Sequence, residues 1–571
     1  MFKILILTAA SHLLISVGMA ADSPNTDTWA QFSSFSYSGK AVVTPDAGEY
    51  ANPIIAGFYP DPSICRVGED YYLVNSAFNY FPSIPIWHSK DLVNWTQIGN
   101  VIDRPSQFAI QGGQMSSGTY APTIRYYDGT FYMINTLVGG IGNFYVTATD
   151  PAGPWSEPIR VPSVGGIDPD IFFDDDGKCY ILSCDDPVGQ AQYNGHRTIR
   201  MQEYDLDQQQ FVGEKKVLVN GGTDITKQPI WCEGPHLYKI KDKYFLMCAQ
   251  GGTSVDHTEV IFRSDSLWGP YVPWEKNPIL SAVGLPGDRP NPVTCTGHAD
   301  LVQTQNGDWY SVFLACQPYQ NGHFNTGRQT FMLPVSWTDD NWPVILPPDT
   351  PVPLTVKKPN LPAGTAQVAT TGDISFTDTF DSDTLHDRWI GIRKPASQWH
   401  VVSKTDKALY LQPRDDTLSR QGNPSYLGTR QQNNEFNCSV TLTAQPETVD
   451  CTAGLAAFQN ENHFYAMNVK IKSGKLAEVA LEQAVARRGF GRRGGAQEQP
   501  QESNILTSTE LPENVKSIDL KIEVAGPVMH FYYKVGDGEF TQIGEDLPST
   551  FLSTETAGGF QGVTLGMFTC N

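Results

Sequence analysis

The chain has 571 residues, 40% of them hydrophobic, and its 61 acidic against 40 basic side chains give a formal charge of −21. That length exceeds one ordinary core and implies several domains. The charge excludes nucleic acid and anionic membrane surfaces as partners and fits a neutral substrate.

The chain opens on MFKILILTAASHLLISVGMA, in which Lys3 precedes a short apolar run and the small residues Gly18 and Ala20. This is the pattern of a secretory leader. Residues 1–20 are therefore expected to be cleaved and the rest exported, periplasmic or extracellular. The apolar run is too short and interrupted to insert as a membrane span. Residues 21–49 read as an N-terminal extension.

The stretch YPDPSICRVGEDYYLV, residues 59–74, holds Asp61 between two prolines at the start of an apolar strand. The same plan returns in APTIRYYDGTFYMINT from Ala121, DPDIFFDDDGKCYILS from Asp168, EGPHLYKIKDKYFLMC from Glu233 and HADLVQTQNGDWYSVF from His298. Each copy is a strand, a polar turn with Gly or Asp, and an aromatic second strand, which is a hairpin signature. Five hairpins with further strands between them fit radial repetition of four-stranded blades, so residues 50–345 are expected to form a five-bladed β-propeller. Inner strands of a propeller converge on one channel. Asp61, the Tyr120–Ala121 pair, Asp168, Glu233 and His298 are therefore expected to ring its mouth from equivalent positions.

Several carboxylates around one pocket, with aromatics beside them, suit glycoside cleavage, in which one carboxylic acid protonates the leaving oxygen and one carboxylate activates water or attacks. Glu233 follows Trp231 and Cys232, an apolar approach that favours the protonated form, and is the expected acid. Asp61, in its more polar setting beside Ser63, is the expected base. Asp168 is expected to be the third charge that keeps Glu233 protonated, and Asp170 a hydrogen-bonding strand residue. The triplet Asp174–Asp175–Asp176 before Gly177 fails the spacing of a calcium loop and occupies the turn of its repeat. The 11 histidines lack zinc-binding spacing.

Residues 346–372, opening LPPDTPVPLTVKKPNLPAG, are proline-rich and aperiodic and read as a semi-rigid linker. From residue 373 to 571 short alternating strands such as ALYLQP, CSVTLTAQ and MHFYYKV give an antiparallel β-sandwich pattern. Cys438 and Cys451 flank a short turn there and are the one pair placed to cross-link neighbouring strands; the remaining cysteines mostly read as buried thiols. The run ARRGFGRRGGAQEQPQES, residues 486–503, reads as a surface loop.

The run NPIIAGFYPDPSICRVGEDYYLVNSAFNYFPSIPIWHSKDLVNW, followed in order by GIDPDIFFDDDGKCYIL, CEGPHLYK, GHADLVQTQNGDWY and GRQTFMLPVSW, resembles glycoside hydrolase family 43 over nearly the whole mature chain. The resemblance implies a concanavalin-like fold for the sandwich and an exo-acting, inverting β-xylosidase or α-L-arabinofuranosidase activity. It implies the same roles for Asp61, Asp168 and Glu233. By the same resemblance His298 is a pocket histidine, Arg328 a substrate-contacting arginine, Phe78 an aromatic wall, and Phe560 in GGFQGVTLG an aromatic that closes the site from the second domain. No cofactor is implied, although in some relatives the equivalent of His298 helps hold a calcium through water. A structural calcium near His298 is thus an open option. Tyr120 and Ile167 stand where the family's xylosidases commonly have Trp and Phe, so the choice of pentose stays open, as does the oligomeric state. Two rivals remain. A carbohydrate-binding propeller would not need an acid in an apolar niche, and a fructan-cleaving propeller would carry Trp-x-Asn-Asp-Pro-Asn and Arg-Asp-Pro runs that this chain lacks.

Overall fold

The computed structural model describes residues 25–110, 112–394, 397–485 and 503–571. The leader expected at 1–20 and most of the arginine-rich run, 486–502, lie outside the described residues.

Each sequence hairpin forms the two inner strands of one blade. The innermost strands are Ser63–Val67, Thr123–Tyr127, Ile167–Phe173, Glu233–Ile240 and Thr294–Gln303. Each pairs antiparallel with the aromatic strand that follows it. The alternation predicted from sequence is visible in the register: Ile124, Ile171 and Leu237 turn into the layers between blades, where they are buried. Backbone bonds from the preceding segment close the ring, with Ile54 N–H donating to Thr330 O at 2.9 Å and Tyr59 N–H to Arg328 O at 3.1 Å.

Below the mouth, the channel axis is filled by a polar cluster with a contribution from every blade. The Arg125 guanidinium meets Asp300 Oδ2 at 2.9 Å, Asp170 Oδ1 at 3.1 Å and His236 Nδ1 at 3.0 Å. The Ser63 hydroxyl donates to Asp300 at 2.7 Å, and the Leu237 amide to Asp170 at 2.8 Å. Buried charges are tolerated when paired and hydrogen-bonded, and here one cation answers two carboxylates. Asp170 is thus the strand-bonding residue expected.

The second domain is a sandwich of a nine-stranded and an eight-stranded sheet, and neither sheet is built from residues 373–571 alone. The described part of the expected N-terminal extension, residues 25–49, is not separate from the sandwich. Its strand Ala30–Lys40 lies inside the nine-stranded sheet, antiparallel to Glu435–Thr443 and to Ile374–Asp378. The reason is in its side chains: Phe32, Phe35 and Tyr37, brought to one face by a register shift after Phe32, are buried in the sandwich core. A second such strand, Tyr80–Phe81, leaves the first blade and pairs with Ile390–Ile392 as the end strand of the eight-stranded sheet.

Two further readings are revised. Cys438 and Cys451 are both free thiols; the segment between them carries the chain from one sheet to the other, so they do not sit on paired neighbouring strands. The linker is packed down along the propeller: Leu346 and Val352 are buried, and Thr355–Lys357 pairs with Glu49–Ala51.

Candidate active site

The sequence register places the three acids in equivalent positions, but the structure places only two of them so. Asp61, Asp168 and His298 all have φ between 51 and 53°, and in the fourth blade the matching left-handed residue is Gly234, at φ 58°. Glu233 is therefore one residue upstream of its expected register. The inner strands of blades three, four and five each shift register here, between Ile167 and Asp170, Glu233 and His236, and Gly297 and Asp300. Such bulges re-aim side chains out of the pleat. Gly234 is required for a second reason, because a Cβ on it would lie 2.8 Å from the His298 ring.

These irregularities gather Asp61, Asp168, Glu233, His298 and Arg328 into one cavity with Phe78, Tyr120 and Phe560. All eight residues read from the sequence line it. Asp61 accepts a hydrogen bond from Arg328 Nη1 at 3.0 Å and another from the Ser76 hydroxyl. Ser63, its expected polar neighbour, bonds Asp300 instead. Burial would raise the Asp61 pKa, but Arg328, His298 and Ser76 more than offset it and hold the carboxyl below its ordinary range. Of these, Arg328 carries the charge effect, since burial pushes the His298 ring down to about 3 and keeps it neutral.

Glu233 faces the opposite balance. Burial first and the Asp61 charge second push it up to about 8, against Arg328 and Arg197. Asp168 is also raised well above its ordinary value, by burial and then by the Glu233 and Asp61 charges, which outweigh the opposing pull of the Gly234 amide and Arg328. Two buried carboxyls side by side cannot both ionise readily, so the pair keeps a proton at neutral pH. Cys184, Cys232 and Cys248 pack behind as part of one apolar cluster.

The walls are aromatic. The Phe78 and Phe560 rings stack with centroids 5.8 Å apart, Tyr120 meets both edge-on at 5.9 Å, and Arg328 lies 5.5 Å from Phe560. Phe560 comes from the sandwich, so the second domain completes the site. The cavity is tight, about 40 Å³, well below the roughly 300–1,000 Å³ of drug-sized ligand sites. A wider cleft between the propeller and sandwich, lined by Asp288, Arg289 and Tyr319 among others, contains none of the three acids. Chemistry rather than volume places the site.

The residues around His298 do not make a calcium cage. Asp170 and Asp300, the carboxylates a cation on the axis would need, are both taken by Arg125. The sequence reading missed Ser76, Thr253 and the buried His257, whose Nδ1 lies 3.1 Å from Cys295 O beneath the pocket. None of the three occupies a repeated position, so no pattern marked them.

Comparison with known proteins matches residues 50–343 to the model for glycosyl hydrolases family 43 and residues 377–571 to that for the β-xylosidase C-terminal concanavalin A-like domain. The chain belongs to glycosyl hydrolase family 43. It is similar to a xylosidase/arabinosidase of Butyrivibrio fibrisolvens, 39% identical over 90% of this chain and 95% of that protein. It is also similar to a non-reducing-end α-L-arabinofuranosidase of Bacteroides ovatus, 35% identical over 91% of each. Among solved structures, a GH43_12 retrieved from a capybara gut metagenome superposes with a TM-score of 0.85 at 38% identity, covering 95% of this chain and 99% of that one. Like the family's other members the chain is a glycosidase, and its fold is the five-bladed propeller with a concanavalin-like sandwich that the sequence implied.

Proposed function

We propose that this family-43 enzyme is an exo-acting, inverting pentosidase that releases terminal β-D-xylose or α-L-arabinofuranose from xylan- or arabinan-derived oligosaccharides. We place it outside the cytoplasm, on the strength of its leader. The observation that carries the reading is one compact cavity with aromatic walls in which the Asp61 carboxyl is held ionised while Glu233 is pushed up to about 8. Glu233 gives its proton to the glycosidic oxygen as the C1–O bond breaks. Water adds to C1 from the opposite face and loses its proton to Asp61. Asp168 keeps the Glu233 proton in place, while Arg328, already paired with Asp61, turns its remaining donors to sugar hydroxyls. Phe560 blocks the inner end, which leaves entry to a chain terminus.

The test is direct. The purified protein is given aryl β-xyloside and aryl α-L-arabinofuranoside, and the first sugar released is followed by proton NMR. The reading requires turnover of at least one of them and an inverted anomer. A retained anomer removes the base role of Asp61, and inertness towards both removes the pentosidase reading.

A further inference from the structure

Trp231 lines the cavity two residues before Glu233 and is only partly buried, and no role in the pocket accounts for how it is held. In the segment Trp231–Cys232–Glu233, Cys232 turns into the apolar core while the residues on either side of it both line the cavity. Trp231 sits at φ 51°, a left-handed conformation that is strained for a bulky residue. Its amide donates to Gly195 O at 2.9 Å. A Cβ on Gly195, itself at φ +84°, would come within 2.7 Å of the indole Cδ1 and 2.9 Å of Nε1. The indole is thus seated on bare backbone. The Arg197 guanidinium lies 5.4 Å from its ring and is steadied by Asp186 at 2.8 Å. Trp231 is only half-buried, and the neighbouring Ile230 is 50% exposed.

Strain of this kind persists only where the surroundings enforce it. The direction of the chemistry says what the rim must meet. The released sugar occupies the closed end formed by Asp61, Arg328, Phe78 and Phe560, so the leaving group lies beyond Glu233, the residue that protonates the bond between them. We propose that Trp231, set by Gly195 and Arg197, is the stacking platform of the leaving-group subsite, and that its ligand is a pyranose ring of the glycan. A pyranose with equatorial hydroxyls presents a continuous C–H face to an aromatic ring, as an indole requires. The inference deepens the pentosidase reading and rests on it.

The experiment compares two leaving groups on the same pentose. One substrate is a disaccharide with a pyranose leaving ring, xylobiose or arabinofuranosyl-xylose; the other is the matching glycosyl fluoride, which has no leaving ring to stack. Trp231→Ala is expected to lower kcat/KM on the disaccharide about tenfold more than on the fluoride, chiefly through KM. Trp231→Phe is expected to recover most of that difference. Fluoride turnover also reports that each variant is folded. Equal loss on the two substrates, or disaccharide kinetics that match the parent enzyme, overturns the subsite while leaving the pentosidase reading in place. An intact enzyme inert towards both substrates overturns the pentosidase reading and the subsite together.

Discussion

Asp61 and Glu233 are both buried carboxyls of one cavity, yet they are driven to opposite protonation states. The difference is one guanidinium: Arg328 touches Asp61, whereas Glu233 has only the more distant pull of Arg328 and Arg197 against burial and the Asp61 charge. The pH profile of kcat/KM should then hold on the acid side to below the ordinary aspartate value and fall on the alkaline side near pH 8, as Glu233 loses its proton. Glu233→Gln should abolish the alkaline limb. It should cost about 10²–10⁴-fold on natural linkages and far less on glycosyl fluorides, which need no proton. The same shift has a stability consequence with a definite sign. Glu233 binds its proton more tightly folded than unfolded, so its contribution is complete below its ordinary value of 4.5 and is lost as pH rises towards about 8. The loss is at most about 1.4 kcal/mol per pH unit, and thermal melting of Glu233→Gln should overtake the parent across that window. At this scale the sequence was informative wherever a residue lay inside a repeated motif. Arg328, outside the five hairpins, came only through GRQTF, and Ser76 through nothing.

The elements explain both what the repeat revealed and where it misled. Period-two alternation and a turn in each copy were enough to mark the inner strands, because burial between blades enforces both. The offset at the strand entrance is written in the spacing, three positions from Asp61 to Ile64, Asp168 to Ile171 and His298 to Leu301 but four from Glu233 to Leu237. The bulge that re-aims the carboxyl, by contrast, leaves no mark in composition. Glu233 and Gly234 are adjacent, and the glycine, not the acid, takes the left-handed position that Asp61 holds in its own blade. Gly234→Ala should therefore strain the backbone by about 1–2 kcal/mol and press on His298, lowering kcat while circular dichroism shows the sheets intact. The axial cluster invites a harsher result. Arg125→Met leaves Asp170 and Asp300 buried without their cation and should cost about 3–5 kcal/mol, measured as a fall in the denaturant midpoint.

At the scale of the whole molecule the sandwich takes two strands from the part of the chain before the linker, so the boundary drawn in sequence does not divide the structure. The proline-rich composition of residues 346–372 signalled a break in periodicity correctly, but composition carries no trace of a partner some 400 residues away. Ending the chain near Pro362 would expose Phe32, Phe35 and Tyr37, leave Tyr80–Phe81 without its neighbour and remove Phe560. Such a fragment should elute as aggregate on size exclusion and show no turnover, and a soluble, active propeller would refute this dependence on the sandwich. The strand Ala30–Lys40 also bears on how the protein comes into being. It leaves the ribosome before the propeller, yet its partners Ile374–Asp378 and Glu435–Thr443 are made only after the entire propeller. Its aromatic face must stay uncommitted through most of translation. Native assembly of this chain is thus completed late, by this strand, rather than domain by domain as it is synthesised.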